Sequence, residues 1–535
     1  MEQLYFNGDI VTMEDQNDNP EAVLVRDGKI AAVGAYADLE KMIQEKDYEK
    51  IDLDGKTLMP AFIDGHGHFS IAADHTTLAD LSGAKSFQDI IDILRAFREK
   101  NNLTNGEPII GVGYDHNYLK EKIHPTRNVL DEVSKDNPVG VWHASQHMGS
   151  VNSKLLNILK IDETTPDPEG GLIGRYAGSM KPNGYLEEAG INSFRLYQKK
   201  IKIDYRKQMD ITQRIYTQHG ITTVQDGAAN RATVDMVREM AKEGRIYVDI
   251  IAYPFLNQEH LTGVVDDNRD CLYKYVDHFK INGMKVVLDG SPQGRSAWMS
   301  KPYEGSDGYC GYPRFQSDWI ETAAAICIEN NLQMLAHCNG DAASEQYLDC
   351  YEKALKESNN PKKGELRPVM IHCQTVRDDQ LDRMAKIKMI PSIFVSHVNY
   401  WGDIHLVNFG EERARRVSPV KSALDRGLIY NFHTDTPIVP PNMFHTVWAA
   451  VNRITKAGVL LGPEQRIGIF DALKGVTINA AYEYFEEDLK GTIKEGKLAD
   501  LIIVDRNPLK TEPMKIKDIQ VLKTIKEGNV IYTKE

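Results

Sequence analysis

The feature that most constrains the fold is an alternation of short apolar segments with amphipathic helical segments through the middle of the chain. Such alternation is typical of parallel strands joined by right-handed helical crossovers. Nearly every apolar segment ends on His, Asp or Lys, and barrel enzymes carry their reactive side chains at the carboxyl ends of their strands. We therefore predict an α/β fold, a (β/α)8 TIM-type barrel. The candidate strands are GITTVQD, GMKVVLDG, QMLAHC, PVMIHC, IPSIFVSH and LIYNFHTD, with helices such as SDWIETAAAICIENN and DDQLDRMAKIK between them.

The two ends of the chain differ from this middle, because their patterns predict β-strands. EAVLVRDGKIAAVG has two apolar runs around an Asp-Gly turn, and VLKTIKEGNVIYT has two around Gly-Asn, after the apolar run ADLIIVD. Such spacing indicates β-hairpins. We predict one small composite β-sandwich domain built from residues 1–58 and 487–535. The alternative is two unrelated terminal hairpins.

The barrel, predicted over residues 59–486, is longer than this fold requires. A plain (β/α)8 barrel needs roughly 250 residues, and the span from His66 to Asp435 alone exceeds that length. We therefore expect an insertion in the barrel, and place it around residues 70–210, where the strand pattern is hardest to follow.

Composition limits the partners of the protein. The 535-residue chain carries a formal net charge of −13, which argues against nucleic acid or an acidic membrane as the main partner. No apolar run reaches the roughly 18 residues that span a bilayer, and the opening MEQLYFNGDIV lacks the basic and long apolar regions of a signal peptide. The six cysteines include no CxxC pair. We expect a cytoplasmic protein with reduced thiols that acts on a small-molecule substrate, and leave a homodimer open.

Two histidines in the stretch MPAFIDGHGHFS, His66 and His68, suggest a metal site. Side chains two positions apart on a strand face the same way, and neutral imidazoles at this spacing suit a divalent ion. Taken alone, such a pair is a weak signal, and core or loop histidines are the alternative. Four later residues lie at or near the ends of candidate strands and favour the metal interpretation: Lys285, His337, His372 and Asp435.

This pattern resembles the amidohydrolase superfamily, with HxH after strand one, Lys on strand four, His on strands five and six, and Asp on strand eight. Several stretches resemble its amidohydrolase-3 branch, which includes N-substituted formamide deformylases. They are GVGYD, HPTRNVLDEVS, VNSKLL, GITTVQD, KVVLDGSPQGRSAWMSKPY, HCNGDAA, IHCQ and KGTIKEGKLADLIIVDRNP, and they cover nearly the whole chain. The resemblance implies a (β/α)8 barrel with a composite β-domain and a divalent metal centre.

The resemblance also implies a set of metal ligands. His66 and His68 would bind one ion, and His337 and His372 would bind a second. Two zinc ions per chain are the expected cofactor, although Mn, Fe, Co or Ni would suit the same ligands.

Two further residues would complete the centre. Lys285 would bridge both ions as a carboxylated lysine; the alternative is an ordinary lysine paired with Asp289 or another acid. Asp435 would contact the metal and carry the proton of the attacking water, and its alternative is a structural cap on the following turn.

The implied activity is metal-dependent hydrolysis of the C–N bond of a small amide, N-acyl or N-formyl amine by a metal-activated hydroxide. Ester or lactone hydrolysis, or deamination, at the same centre is the first alternative. The second is a catalytically silent regulator that binds a metabolite.

Five further residues are expected near the substrate, and the first four have a structural alternative such as core packing or loop support. His147 and Tyr114 match residues of this branch near its pocket. Arg295 follows strand four and is placed to clamp a substrate carboxylate, and His397 ends the predicted seventh strand. His433 is a departure, since the branch usually has a small residue two positions before the strand-eight Asp. The roles open to it are to narrow the pocket, to tune Asp435 or to supply an extra metal ligand.

Overall fold

The computed structural model describes residues 2–44, 48–144, 148–198, 204–256 and 262–535, and these divide into two compact units. The first unit consists of residues 1–72 and 210–535, and the second of residues 73–209. The chain begins with short strands and two short helices. They are β1 (Glu2–Phe6), β2 (Asp9–Ile10), β3 (Ala22–Arg26), β4 (Lys29–Gly34), α1 (Tyr36–Lys41), β5 (Glu49–Asp52), β6 (Thr57–Pro60), β7 (Phe62–Ile63) and α2 (Phe69–His75).

The second unit is built on one mixed sheet with helices. Its elements are β8 (Ala79–Asp80), α3 (Phe87–Lys100), β9 (Ile109–Tyr114), α4 (Arg127–Asp131), β10 (Val139–His143), β11 (Met148–Val151), α5 (Ser153–Leu159), β12 (Gly171–Arg175), β13 (Pro182–Glu188) and α6 (Asn192–Gln198). The strand order is β12-β13-β11-β10-β9-β8. Strands β8, β9 and β10 run parallel, so β9 and β10 end at the same edge of the sheet.

The remaining elements of the first unit alternate strands with helices. They are α7 (Tyr205–Thr217), β14 (Ile221–Ala229), α8 (Arg231–Lys242), β15 (Asp249–Pro254), α9 (Gly263–Asp266), β16 (Phe279–Ile281), β17 (Gly283–Val287), α10 (Ser317–Glu329), β18 (Gln333–Cys338), α11 (Asp341–Glu357), β19 (Val369–His372), α12 (Asp378–Lys386), β20 (Ile390–Ile393), α13 (His397–Ala414), α14 (Val420–Asp425), β21 (Asn431–Phe432), α15 (Met443–Asn452), α16 (Ile469–Lys474), α17 (Ile478–Glu483), β22 (Leu501–Val504), β23 (Val521–Lys526) and β24 (Asn529–Thr533).

Parallel pairing confirms the predicted barrel. Strands β7, β14 and β15 pair in parallel, as do β17, β18, β19, β20 and β21. A parallel bridge between Phe255 and Lys285 joins the two sets. The Gly65 N–H donates to the Phe432 carbonyl oxygen at 3.3 Å, which links the last strand to the first. Nearly all residues of these strands are buried, which is typical of strands covered on both faces.

The two chain ends meet in a β-sandwich. Strand β6 pairs antiparallel with β22, so that Leu58 lies opposite Ile503, and this sheet has the order β2-β6-β22-β23-β24. A second sheet, β4-β3-β1-β5, comes from the N-terminal segment. Side chains of both sheets, including Val23 and Ile525, share one apolar core. The composite domain of the predicted fold is therefore present, and the ends are not unrelated hairpins.

Among the residues that the structure describes, no helix combines the length and the apolar character needed to cross a bilayer.

Candidate metal centre

The two histidines of the HxH pair lie directly after β7, and the end of β14 orients both of them. Nδ1 of His66 lies 2.5 Å from Oε1 of Gln225, and Nδ1 of His68 lies 2.6 Å from the carbonyl oxygen of Gly227. Because both partners are acceptors, each Nδ1 carries the proton. Each Nε2 therefore presents a lone pair, the form in which imidazole binds metals.

Asp435 lies with its carboxylate beside the Nε2 atoms of His66 and His68. Its backbone N–H donates to the carbonyl oxygen of His66 at 3.0 Å, which fixes the segment after β21 beside β7. Its Oδ1 lies 3.3 Å from Nε2 of His68 and 3.6 Å from Nε2 of His66. This oxygen is buried and has no hydrogen bond from any described group. Burial alone would raise the pKa of Asp435, but its contact with His68 and the charges around it hold the pKa below its usual value.

Lys285 lies in β17, and its amine lies beside His66. Its Nζ is 3.1 Å from Nε2 of His66, and the residue is buried. Burial lowers the pKa of Lys285 to about 7, although the charge of Asp435 acts in the opposite direction. The alternative partner Asp289 is engaged elsewhere, because its oxygens accept from the backbone N–H groups of Asn339 and Gly340.

The second pair of histidines comes from β18 and β19. The ring centroids of His337 and His372 are 4.4 Å apart, and those of His66 and His372 are 5.8 Å apart. Nδ1 of His337 lies 3.1 Å from Oδ1 of Asp289, and its Nε2 lies 3.3 Å from the side-chain amide of Asn339.

His433 lies behind His372. Its Nε2 is 3.2 Å from Nδ1 of His372, and its Nδ1 is 2.9 Å from Oγ of Ser392. Burial lowers the pKa of His433 to about 3, so its ring stays neutral. Both ring nitrogens thus contact protein groups, and the contact with Nδ1 of His372 leaves Nε2 of His372 available to a metal ion.

These residues fit a divalent metal ion. The Nε2 atoms of His66 and His68 lie beside the carboxylate oxygen of Asp435, and buried acceptor groups are normally balanced by hydrogen-bond donors or by a cation. Ligand atoms of His66, His372 and Asp435 all lie within 4.8 Å of one another. The donor set of imidazole nitrogens and a carboxylate oxygen suits zinc and its neighbours.

The structure gives the other predicted substrate residues individual positions. His397 begins α13 after the end of β20, is buried, and lies with its Nδ1 3.1 Å from Nε2 of His405. Arg295 is half-buried, and its Nε donates to Oδ1 of Asn408 at 2.8 Å. Tyr114 lies in the second unit, buried, with its hydroxyl 3.0 Å from Nδ1 of His124. His147 lies outside the described residues.

Sequence reasoning missed the groups that orient the ligands. Gln225 holds His66 and donates through Nε2 to Tyr484 and Glu483. Burial raises the pKa of Glu483 to about 8. The sequence offered a signal for Gln225, because it is a polar residue near the end of the candidate strand GITTVQD. Nothing in the sequence of α17 distinguishes Glu483. The sequence suggests Asp289 only as a partner for Lys285, whereas in the structure Asp289 contacts His337.

Comparison with known proteins agrees with this geometry. A family model described as the amidohydrolase family matches residues 49–532, and a bacterial imidazolonepropionase-like composite domain matches residues 22–41. The chain is 27% identical to the N-substituted formamide deformylase of Arthrobacter pascens, over 99% of this chain and 98% of that protein. It is 24% identical to the putative amidohydrolase YtcJ of Bacillus subtilis over the full length of both.

A solved structure gives the same result. The crystal structure of an uncharacterised metal-dependent hydrolase from Pyrococcus furiosus superimposes with a TM-score of 0.76 at 25% identity, covering 95% of this chain and all of the other. Fold, candidate centre and similarity over the whole length lead to one conclusion. This chain is a hydrolase that belongs to the metal-dependent amidohydrolase family, in its amidohydrolase-3 branch.

Proposed function

We propose that this hydrolase cleaves the C–N bond of a small amide, N-acyl or N-formyl amine at a two-metal centre. The observation that carries the proposal is the gathering of four histidines around Lys285 and the unpaired Oδ1 of Asp435, each histidine with its Nδ1 held by a protein group. The N-substituted formamide deformylase matched along nearly the whole chain supports the choice of bond.

The ions would be held by a defined set of side chains. These are His66, His68, His337 and His372, with Lys285 between the two pairs and Asp435 beside the first pair. Zinc is the expected metal, and Mn, Fe, Co or Ni would suit the same donors. When bound, such ions lower the pKa of a water molecule and polarise a carbonyl oxygen.

Lys285 is proposed to act in its carboxylated form. Its amine nitrogen would form a bond to the carbon of CO₂ and lose a proton, which turns a cation into an anionic oxygen donor. A buried ammonium 3.1 Å from a metal-ligating nitrogen would repel the ions, whereas a carbamate balances their charge.

Asp435 is the proposed proton carrier. Its Oδ1 accepts no hydrogen bond from a described group and lies among the ligand nitrogens, so it is placed to take a proton from the attacking water. It would then return that proton to the leaving amine, which departs neutral when the C–N bond breaks. The histidines around it could not supply this base, because a ring nitrogen that binds a metal ion has no lone pair left to take a proton.

A substrate panel tests the bond that is cleaved. The metal-loaded protein would be assayed with N-formyl amines, N-acyl amines, simple esters, lactones and aminopurines. Release of amine from the first two groups, at rates well above those for the others, is the expected result. Turnover of esters or lactones alone, or release of ammonia, would replace the proposal with the corresponding alternative, and tight binding without any turnover would favour a regulator.

Metal analysis tests the role of Lys285. Elemental analysis should show that Lys285→Ala retains less metal than the wild type, with recovery when a short carboxylic acid is added in place of the missing carbamate. Lys474→Ala, which removes an amine from a half-buried surface position near Asp471, is the matched control and should retain wild-type metal. Equal metal content in both variants would remove the bridging lysine from the centre.

A further inference from the structure

The second unit contains a group of metal-ligating side chains that the proposed function does not use. We propose that Asp115, His116 and His143 form a second, separate site for a divalent transition-metal ion, with zinc as the favoured occupant. Three ligand atoms, Oδ1 of Asp115, Nδ1 of His116 and Nε2 of His143, form a close triangle.

Local structure explains why these three side chains meet. Strands β9 and β10 are parallel neighbours, and Tyr114 at the end of one pairs with His143 at the end of the other. Asp115 and His116 follow Tyr114 directly. The carboxyl ends of adjacent parallel strands therefore place the carboxylate and both imidazoles at one edge of the sheet.

The spacing matches a tetrahedral metal site. The ligand atoms are 3.3 Å apart for His116 and His143, 3.4 Å for His143 and Asp115, and 3.8 Å for His116 and Asp115. In tetrahedral zinc sites with ligands about 2.0–2.1 Å from the ion, neighbouring ligand atoms are about 3.3–3.4 Å apart. Two edges agree with this figure, and the third closes with a small movement of a partly exposed side chain.

Hydrogen bonding alone explains the triangle less well. Two edges of the triangle are within hydrogen-bond range, but all three are longer than about 2.9–3.0 Å, the distance on which N–H···O bonds in proteins centre. Oδ1 of Asp115 is already positioned by the backbone and side-chain N–H groups of Asn117, at 2.9 and 3.0 Å. The carboxylate is therefore held in place before any ion binds, and such preorganisation favours binding.

An ion could reach this site from solvent. The side chains of Asp115 and His116 are each 27% exposed, and that of His143 is 9% exposed. The ring of His124 lies 4.0 Å from that of His116 and stacks on Tyr185 at 4.5 Å, which forms an aromatic wall on one side. With three ligands from the described residues, a tetrahedral ion would have a fourth position for water. The ion would tie the loop after β9 to the end of β10.

Another group of similar composition does not support the same inference. Asp249, His278 and Glu527 of the first unit also lie close together. However, Asp249 is buried between the ammonium groups of Lys490 and Lys526, which already balance its charge. Among the described residues, no lysine or arginine forms an ion pair with Asp115. Its carboxylate lies within ion-pair distance of His116 and His143 alone.

Zinc binding to the full-length protein tests the site. Protein stripped with a chelator would be dialysed against Zn²⁺, and bound zinc counted per chain for the wild type and for the double variant His116→Asn/His143→Asn. The double variant should bind one zinc fewer. His75→Asn removes another partly buried histidine of the second unit and should keep the wild-type count. Equal counts for the double variant and the wild type would overturn the proposal.

Crystallography gives an answer even if the double variant folds poorly. Anomalous difference maps at the zinc edge, from wild-type crystals grown with Zn²⁺, should show a peak about 2.0–2.2 Å from the three ligand atoms. A peak at the His66 centre with none here would refute the second site without affecting the proposed function. A peak here with none at the His66 centre would support this site and count against the proposed function.

Discussion

At the scale of single residues, the candidate centre depends on the partners of its histidines as much as on the histidines. Gln225, Asp289 and His433 contact the Nδ1 atoms of three different histidines, His66, His337 and His372 respectively. Such partners fix the tautomer and the ring orientation, and their loss typically lowers metal affinity by about 10–100-fold.

Asp435→Asn should abolish most turnover while leaving the fold intact. The amide cannot accept a proton from water, and general-base catalysis is typically worth about 10²–10⁴-fold in rate. Steady-state kinetics with circular dichroism would measure both effects. Asp382→Asn, at an exposed ion pair with Arg426, is the control and should keep wild-type activity. Normal turnover by Asp435→Asn would exclude it as the proton carrier.

His433→Ala should weaken metal binding by about 10–100-fold, because Nδ1 of His372 loses its partner. Competition with a chromophoric chelator measures the affinity. His445→Ala removes a histidine that contacts Asn399 instead, and should leave the affinity unchanged. If both variants hold metal equally well and only the KM of His433→Ala changes, His433 contacts the substrate, as the sequence first suggested.

At the scale of secondary structure, close strand packing places Lys285. Strand β17 runs beside β18, and a Cβ atom on Gly283 would lie 1.9 Å from the carbonyl oxygen of Gln333. This backbone oxygen cannot move aside as the end of a flexible side chain can. A glycine two residues before Lys285 is therefore required for this register.

Gly283→Ala should destabilise the protein by about 3 kcal/mol or more, at the upper end of overpacking effects, and should reduce bound metal by displacing Lys285. Urea unfolding and elemental analysis would measure the two changes. Gly364→Ala is the control, since a Cβ there meets no atom within 4 Å, and its effect should stay within about 0.5 kcal/mol. A stable Gly283→Ala protein with full metal content would show that β17 can shift without cost.

At the scale of the whole molecule, buried ion pairs join the barrel to the terminal sheets of the same unit. Asp249 begins β15 of the barrel and pairs with Lys526 of β23 at 2.7 Å and with Lys490. Lys526 also pairs with Asp500 at 2.8 Å. Burial alone would raise the pKa of Asp249, but these two lysines hold it well below its usual value.

Lys526→Met should destabilise the protein at pH 7 by about 3–5 kcal/mol, because it removes one of the two buried lysines that balance Asp249 and the lysine that pairs closely with Asp500. A carboxylate whose folded pKa is depressed stabilises the fold above its unfolded pKa, near 3.9, and loses that contribution as the pH falls towards the folded pKa. The difference between wild type and variant should therefore shrink below about pH 4.

Urea unfolding across this pH range measures the effect. Lys510→Met, at an exposed pair with Asp9, is the control and should change stability by less than about 1 kcal/mol. If Lys526→Met is as stable as this control, the prediction is wrong, and water or the remaining lysine balances the negative charge of the buried carboxylates.

The sequence by itself determined the fold class, because a strand–helix alternation and the polar ends of its strands are local patterns that a parallel barrel requires. It also placed His66, His68, Lys285, His337, His372 and Asp435 at strand ends or on strands, and their role as ligands stays a prediction.

Only the tertiary structure decided which groups support those residues. Gln225 meets His66, and His433 meets His372, across long stretches of chain, and no local periodicity encodes such contacts. The same reason applies to the Asp115, His116 and His143 triangle, which exists because β9 and β10 end side by side. Side-chain partnership depends on packing in three dimensions, whereas strand and helix patterns depend on neighbours in the chain.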